Sequence, residues 1–115
     1  MKIILTGNIP SKKNSRINTK SGRSFPSKKY TEWHKDVMKQ ITPPTIPIIL
    51  TKEVVCKIFM PTLRRKDLSN AWESVGDLLV DALVLTDDSW QVIPRLVLVA
   101  EYRKGAGGCE IDIFQ

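Results

Sequence analysis

The sequence predicts an α/β domain of the α+β type, with a mixed β-sheet and two main helices. Two segments, beginning near residues 28 and 68, place apolar side chains at helical spacing. Four other segments are rich in β-branched residues, and clusters of Pro, Gly and Asn separate them. The 115 residues suffice for one domain with a small core. The predicted order is strand, small hairpin, helix, strand, helix, strand, strand, and residues 1–115 form a single domain.

The first third of the chain predicts a strand, a hairpin and a helix. Lys2–Thr6 has the composition of a short strand, and the turn-forming residues after it end that strand. Ile17 and Phe25 flank a turn-like segment, which indicates a small hairpin. Ser27 is placed to be the N-cap of a helix over residues 28–41. The apolar stripe of this helix consists of Tyr30, Trp33, Val37 and Ile41.

The rest of the chain predicts three long strands and the second helix. Three prolines make residues 42–47 a loop, and a β-prone segment follows over residues 48–60. The second helix is predicted over residues 68–83, with an apolar stripe of Leu68, Trp72, Val75, Leu79 and Leu83. Residues 90–102 form a strand in which Pro94 implies an edge position or a bulge. Residues 109–114 alternate between apolar and polar, and we expect the last two strands to pair as a hairpin.

Several classes of protein are poorly supported. No apolar run approaches the ~20 residues of a membrane-spanning helix, and Ile3–Leu5 is too short for the apolar core of a signal peptide. Cys56 and Cys109 are far apart in strand-like segments, so we expect buried, reduced thiols. His34 is the sole histidine and has no partner motif. Zinc binding and cysteine–histidine nucleophilic chemistry are therefore not expected.

Positive charge is concentrated near the N-terminus. Residues 1–40 contain ten Lys and Arg against Glu32 and Asp36, a formal charge of +8. Residues 41–115 contain eight Lys and Arg against ten acids, a formal charge of −2. This asymmetry indicates a surface for nucleic acid, although a solvated basic face that aids solubility has the same composition.

The most informative segment joins a cationic run to the start of the second helix. Arg64, Arg65 and Lys66 directly precede Asp67, and the pair Asp87–Asp88 follows the helix. Converging carboxylates can hold Mg²⁺ or Mn²⁺, because hard cations prefer oxygen ligands. Adjacent cationic side chains can hold a polyanion beside the metal. The segment therefore indicates metal-assisted phosphodiester chemistry, while an ordinary N-cap remains the simpler role for Asp67.

A helical wheel places two further acids away from the apolar stripe. Ser69, Glu73 and Asp77 are successive i, i+4 neighbours on an open flank of the second helix. Two acids at this spacing destabilise a helix slightly unless a cation lies near them. A metal ion would supply that cation, and a solvated helix face is the alternative.

The chain resembles the RusA family of Holliday-junction resolvases, small endonucleases often encoded by phages and prophages. The resemblance lies in Arg65-Lys66-Asp67-Leu68-Ser69-Asn70, in Asp77, and in Asp87-Asp88-Ser89 before a strand. The segment from Ile9 to Ser15, the Gly22–Arg23 turn and the helix after Ser27 fit the same pattern. The similarity extends over nearly the whole chain in order.

The resemblance implies three catalytic aspartates, of which Asp67 matches the first and Asp88 the third. The second falls on Ser69, and a lysine typical of the family falls on Glu73. We infer that Glu73 supplies the missing carboxylate by reaching back one turn. The predicted catalytic and metal-binding set is Asp67, Glu73 and Asp88. We expect Asp77 and Asp87 at the periphery of the metal site. Ser69 and Asn70 are expected to contact the metal ligands or metal-bound water and not the metal itself.

Cationic and polar residues would track the DNA. The predicted DNA-binding residues are Lys12, Lys13, Asn14, Arg16, Arg23, Lys28, Lys29, Arg64, Arg65 and Lys66. The resemblance implies cleavage of four-way DNA junctions with Mg²⁺ or Mn²⁺ in recombination and repair. It also implies a homodimer, matching the two-fold symmetry of a junction, and a bacterial or phage-encoded protein of the cytoplasm.

Three alternatives stay open. The loss of an aspartate at Ser69 favours a protein that binds branched DNA without cutting it. A nuclease for flaps or duplex DNA would use the same residues. An interaction domain unrelated to nucleic acid would leave the clustered charges unexplained.

Overall fold

The computed structural model describes residues 1–11, 16–18 and 24–115. For residues 16–18 and 24–26 it describes the backbone only. It confirms the predicted fold class and the order of the elements. The elements are β1 (Lys2–Thr6), β2 (Arg16–Asn18), β3 (Ser24–Pro26), α1 (Lys28–Met38), β4 (Glu53–Met60), α2 (Leu68–Asp81), β5 (Leu96–Tyr102) and β6 (Gly108–Phe114). The predicted small hairpin is present, because β2 and β3 pair antiparallel with Ile17 opposite Phe25.

The main sheet has four strands in the order β1-β6-β4-β5. β4 and β5 run parallel and are joined through α2, while β6 is antiparallel to both β1 and β4. α2 packs on β4 and β5. Gln40 lies just beyond the C-terminal end of α1 and links this helix to the β1 edge of the sheet. Its side-chain oxygen accepts a hydrogen bond from the backbone N–H of Thr6 at 2.8 Å. The core lies between one face of the sheet and the helices, and its centre includes Val54, Cys56, Ile58, Ile111 and Ile113.

The predicted pairing of the last two strands is wrong. β5 and β6 are separated by β4, which pairs with both of them. The burial of their side chains explains the arrangement. Cys109, Ile111 and Ile113 of β6 are 0–1 % exposed, so this strand gains most from a central position. β5 is exposed along much of its length and lies at the edge of the sheet, one of the two alternatives predicted from Pro94, although Pro94 itself precedes the strand.

The first helix begins as predicted and ends earlier. The Ser27 hydroxyl oxygen accepts a hydrogen bond from the backbone N–H of Tyr30, as an N-cap does. The helix ends at Met38 rather than at Ile41, because the next residues form a turn in which the N–H of Gln40 reaches the carbonyl of Val37. Ile41 still packs against the core from this turn.

The second helix ends at Asp81 rather than at Leu83. The backbone N–H of Leu83 donates to the carbonyl of Val80, and that of Val84 donates to the carbonyl of Leu79. These two bonds form a Schellman motif, in which the residue after the cap adopts a left-handed conformation. Leu83 occupies that position with φ of 61° and is 60 % exposed, so it does not belong to the apolar stripe.

Two predicted strands begin later than expected. β4 starts at Glu53, and the segment before it contributes only an isolated parallel bridge between Ile48 and Leu85. β5 starts at Leu96, because the preceding residues turn back on Ser89, whose carbonyl accepts the N–H groups of Val92 and Ile93. In both cases the β-prone residues before the strand lie in a loop that packs on the core.

The two thiols and the membrane prediction agree with the structure. Cys56 and Cys109 are free and buried. A hydrogen bond with Cys56, together with burial, raises the pKa of the Cys109 thiol, so this thiol stays protonated. Over residues 1–11, 16–18 and 24–115, no helix has the length and apolarity to cross a bilayer.

Replacing Leu83 by glycine is expected to stabilise the fold. The left-handed conformation costs a residue with a Cβ roughly 1–2 kcal/mol, and the exposed leucine side chain contributes little burial. We expect Leu83→Gly to raise the free energy of unfolding by about 1 kcal/mol in urea denaturation. Leu83→Ala, which keeps the Cβ, is the matched control and should bring no comparable gain. Equal stability of the two variants would contradict the strain assigned to this residue.

Candidate nucleic-acid interface

A concavity that carries clustered charge lies beside the start of α2. It has a volume of about 680 Å³. We call it the basic cleft, and its cationic lining consists of Lys29, Arg64, Arg65 and Lys66. Its other lining residues are Asn8, Ile9, Pro10, Ser11, Ser27, Met60, Pro61 and Thr62. Residues from four separate stretches of the chain thus meet in one site, and four of the predicted DNA-binding residues are among them.

The wall formed by residues 8–11 is held in place by α2 and the residue just before its N-cap. The Lys66 ammonium donates hydrogen bonds to the carbonyl of Ile9 and to Oδ1 of Asn8, the latter at 3.3 Å. The buried hydroxyl of Ser74 donates to the carbonyl of Pro10 at 2.6 Å. Because backbone carbonyls are the acceptors, the path of this segment is fixed with little dependence on its side chains.

The lining of the basic cleft is electrostatically one-sided. Its described lining contains four cationic side chains and no carboxylate. Burial, together with the nearby Lys29, lowers the pKa of the Lys66 ammonium. A bound anion would relieve the repulsion between like charges that are held together in a partly buried site. Guanidinium groups also match the geometry of phosphate oxygens. The cleft is therefore suited to phosphate groups.

A second group of predicted residues meets farther along α2. The Asp88 carboxylate lies over Gly76, where an added Cβ would sit 3.0 Å from Asp88 Oδ2. Burial and then the charge of Asp77 raise the pKa of Asp88. Asp87 accepts the backbone N–H of Asp88 at 2.9 Å, and hydrogen bonds from Ser89 and from this N–H lower the pKa of Asp87. The structure therefore brings Asp77, Asp87 and Asp88 into one neighbourhood.

Asp67 lies apart from this neighbourhood. It occupies the N-cap position of α2 but makes no side-chain capping hydrogen bond, and it is exposed. It precedes Gly76 by nine positions, which corresponds to roughly 13 Å along the helix axis. Glu73 is exposed on the flank between them. The structure thus spreads the predicted set Asp67, Glu73 and Asp88 along the helix.

The carboxylates fit a divalent cation only in part. Within the described residues, no group of three or more His, Cys, Asp or Glu side chains is placed to hold a metal ion. Mg²⁺ commonly uses one or two carboxylates and completes its shell with water and substrate phosphates. Asp88 and Asp77 could supply such a pair, and a cation would relieve the repulsion between them. The three-carboxylate site remains a prediction.

The remaining predicted residues are dispersed or lie outside the description. Lys28 is exposed and forms an i, i+4 ion pair with Glu32 at 3.7 Å. Ser69 is exposed and Asn70 half-buried in the first turn of α2. Only the backbone of Arg16 is described, within β2. The predictions for Lys12, Lys13, Asn14 and Arg23 fall outside the described residues.

Sequence reasoning missed the part of the cleft that carries no charge. Asn8 and the strand end Met60–Pro61 line the cleft but show no motif that points to a ligand. The only available signal was topological, since β1 and β4 both lead into this end of the sheet. It also missed the partner of His34, whose Nε2 lies 2.8 Å from Oδ2 of Asp81 and links α1 to α2.

Comparison with known proteins does not supply a family. The chain matches no known protein-family model, and no curated protein matches it. Functional inference therefore depends on the residues and the geometry described above.

The two neighbouring aspartates should affect stability in opposite directions. The pKa of Asp88 is raised in the folded state, so the folded protein binds more protons between the unfolded and folded pKa values, and stability falls as pH rises through that window. The pKa of Asp87 is lowered, so its contribution is present above its unfolded pKa and is lost as pH falls through the folded pKa.

We therefore expect Asp88→Asn to raise the melting temperature at pH 7 in EDTA, whereas Asp87→Asn should lower it or leave it unchanged. Thermal denaturation between pH 3 and pH 7, in about 0.1 M salt to limit long-range charge effects, measures both. The difference between Asp88→Asn and the unmodified protein should shrink as the pH falls. A stability loss for Asp88→Asn at pH 7 would contradict the environment assigned to this carboxylate.

Proposed function

We propose that this protein is a structure-specific endodeoxyribonuclease that cleaves four-way DNA junctions in the presence of Mg²⁺ or Mn²⁺. The observation that carries the proposal is the basic cleft, in which three of the four cations directly precede Asp67 at the start of α2 and the fourth, Lys29, comes from α1. The carboxylate Asp77 lies farther along α2, and Asp88 returns beside it from the loop after the helix. Candidate phosphate-binding cations and candidate acidic oxygen ligands thus lie along one helix.

In this proposal the DNA backbone runs along α2. The cations Arg64, Arg65 and Lys66 hold phosphates near the N-terminus of the helix, where the macrodipole also favours negative charge. Asp88, with Asp77 beside it, is the best-placed carboxylate to hold a cation, and the exposed Glu73 and Asp67 face the approaching DNA. A bound Mg²⁺ or Mn²⁺ ion supplies Lewis-acid activation of the scissile phosphate and of the attacking water.

The partners and setting follow from the same proposal. Paired cuts across a junction of two-fold symmetry are most simply made by a homodimer. The resemblance to RusA resolvases supports a role in DNA recombination and repair in the bacterial cytoplasm, for a protein encoded by a bacterium or a phage. No described residue needs to attack the phosphate covalently.

Cleavage of a synthetic four-way junction tests the proposal. We expect cutting that requires Mg²⁺ or Mn²⁺ and that falls at least about tenfold in Asp88→Asn and Glu73→Gln, a loss typical even of groups that only support a metal ligand. Glu32→Gln, which removes an exposed carboxylate from α1, is the matched control and should cut normally. Cutting rates are measured on gels of end-labelled junctions. Undiminished cutting by Glu73→Gln would remove Glu73 from the site, and undiminished cutting by Asp88→Asn would overturn the proposed metal site.

A second candidate is a protein that binds branched DNA without cutting it. It is favoured by Ser69 at a family aspartate position and by the spread of Asp67, Glu73 and Asp88 along α2. Junction binding that persists in EDTA, with no nicking under either divalent ion, would select this candidate. Ser69→Asp then restores the carboxylate on an exposed site, and a gain of cutting would show that its loss is the defect.

Salt dependence tests the basic cleft separately from cleavage. Each phosphate contact releases counterions, so the logarithm of the binding constant falls linearly with the logarithm of salt concentration. We expect Arg65→Gln to weaken junction binding in EDTA and to reduce this slope by about one. Arg95→Gln is the matched control, because Arg95 is exposed at the start of β5 and pairs with Glu53 at 2.7 Å. Equal slopes for both variants would place the phosphates elsewhere.

A further inference from the structure

The basic cleft combines two kinds of surface. Met60 and Pro61 contribute half-buried apolar groups at the end of β4, while Ile9 and Pro10 line the cleft as buried residues. Cationic groups from Lys29 and residues 64–66 complete the lining. A ligand that carries an apolar face beside its phosphates would contact both kinds of surface, whereas a phosphate alone would contact only the cations.

We propose that the basic cleft receives a single unpaired DNA nucleotide at a branch point. This inference deepens the proposed function and rests on it. The base would lie against Met60 and Pro61, while its flanking phosphates would contact Arg64, Arg65 and Lys66. The guanidinium planes of the two arginines are also suited to stacking on a base.

The shape of the cleft supports this ligand. Its volume of about 680 Å³ falls within the range of roughly 300–1,000 Å³ that is typical of small-molecule pockets. An intact duplex presents a convex backbone, which meets the rim of such a concavity without filling it. Enzymes that act on nucleotides commonly receive them in pockets of this kind after extrusion from the stack.

The polar groups of the cleft can contact the edge of a base. Asn8 offers a side-chain amide whose Oδ1 already accepts from Lys66, and this contact orients the amide. Thr62 is a further exposed polar residue of the lining. These few groups favour recognition of an unpaired nucleotide over reading of a particular sequence.

The free energy needed to unpair a base would then make binding selective for branched DNA. Removing a paired base from a duplex costs a few kcal/mol, and the cost is least where the base is already unpaired. A cleft that takes one nucleotide therefore favours a branch point over linear duplex. The preference for branched DNA would arise from this difference and not from contacts that distinguish junction arms.

The test uses a four-way junction with 2-aminopurine, a base whose fluorescence rises when it leaves the stack. One junction carries it at the point of strand exchange, and another carries it within an arm. Binding is followed separately, by anisotropy of a dye on a distant arm end, in EDTA so that no cutting occurs. We expect a severalfold rise at the exchange point when the protein binds, and no rise within the arm.

Filling the cleft provides the decisive variant. Thr62→Trp adds a bulky group to an exposed lining position and leaves the cations in place. Thr86→Trp is the matched control, because Thr86 is likewise an exposed threonine with one 3.4 Å hydrogen bond, outside the cleft lining. At a protein concentration where anisotropy shows the junction to be fully bound, we expect Thr62→Trp to lose the fluorescence rise and Thr86→Trp to keep it.

The outcomes separate this inference from the proposed function. Tight junction binding without a rise at the exchange point overturns the nucleotide site and leaves the proposed function standing. A rise that persists in Thr62→Trp likewise overturns it, since unpairing would then occur away from the cleft. If the unmodified protein binds no DNA at any salt concentration, both the inference and the proposed function fail.

Discussion

The attachment of residues 8–10 to α2 is the contact on which the candidate site depends. Lys66 and Ser74 each donate to a backbone carbonyl of this segment, one just before α2 and one near its middle. The segment follows β1, so the attachment joins the edge of the sheet to the helix that connects β4 and β5. Without it, the cleft would lack one wall, and Lys66 would be a solvated surface lysine. The partial burial that lowers the pKa of its ammonium is therefore a consequence of the same contact.

The cations and the carboxylates of the candidate site are positioned by the same helix in different ways. The cations precede α2 and gather in a concavity, whereas the carboxylates are distributed along its exposed flank and in the loop that returns over Gly76. Gly76 matters here because its lack of a Cβ lets the Asp88 carboxylate approach the helix backbone beside Asp77. The repulsion between these acids is unfavourable, and the proposed cation would relieve it.

The sequence predicted the elements of this fold better than their pairing. Apolar periodicity located both helices and the Ser27 cap, because local spacing determines which residues can share a face. It could not show that β6 inserts between β1 and β4, since that choice depends on the total burial of strands distant in sequence. The ends of α2 and β5 were misjudged for a related reason. Leu83 and Trp90 are apolar residues in turns, and their composition alone favours the neighbouring helix or strand.

The candidate site shows the same limit. The cationic run at residues 64–66 was visible as a local motif, and the structure places all three residues in one cleft with Lys29. The carboxylates were visible only as separate acids, and their grouping depends on how the loop after α2 returns across the helix. That return is set by backbone bonds from the N–H groups of Val92 and Ile93 to Ser89, and by the small residue at position 76. A motif can thus identify which residues carry charge. Whether two charged side chains lie close together depends on tertiary packing, which a local motif does not contain.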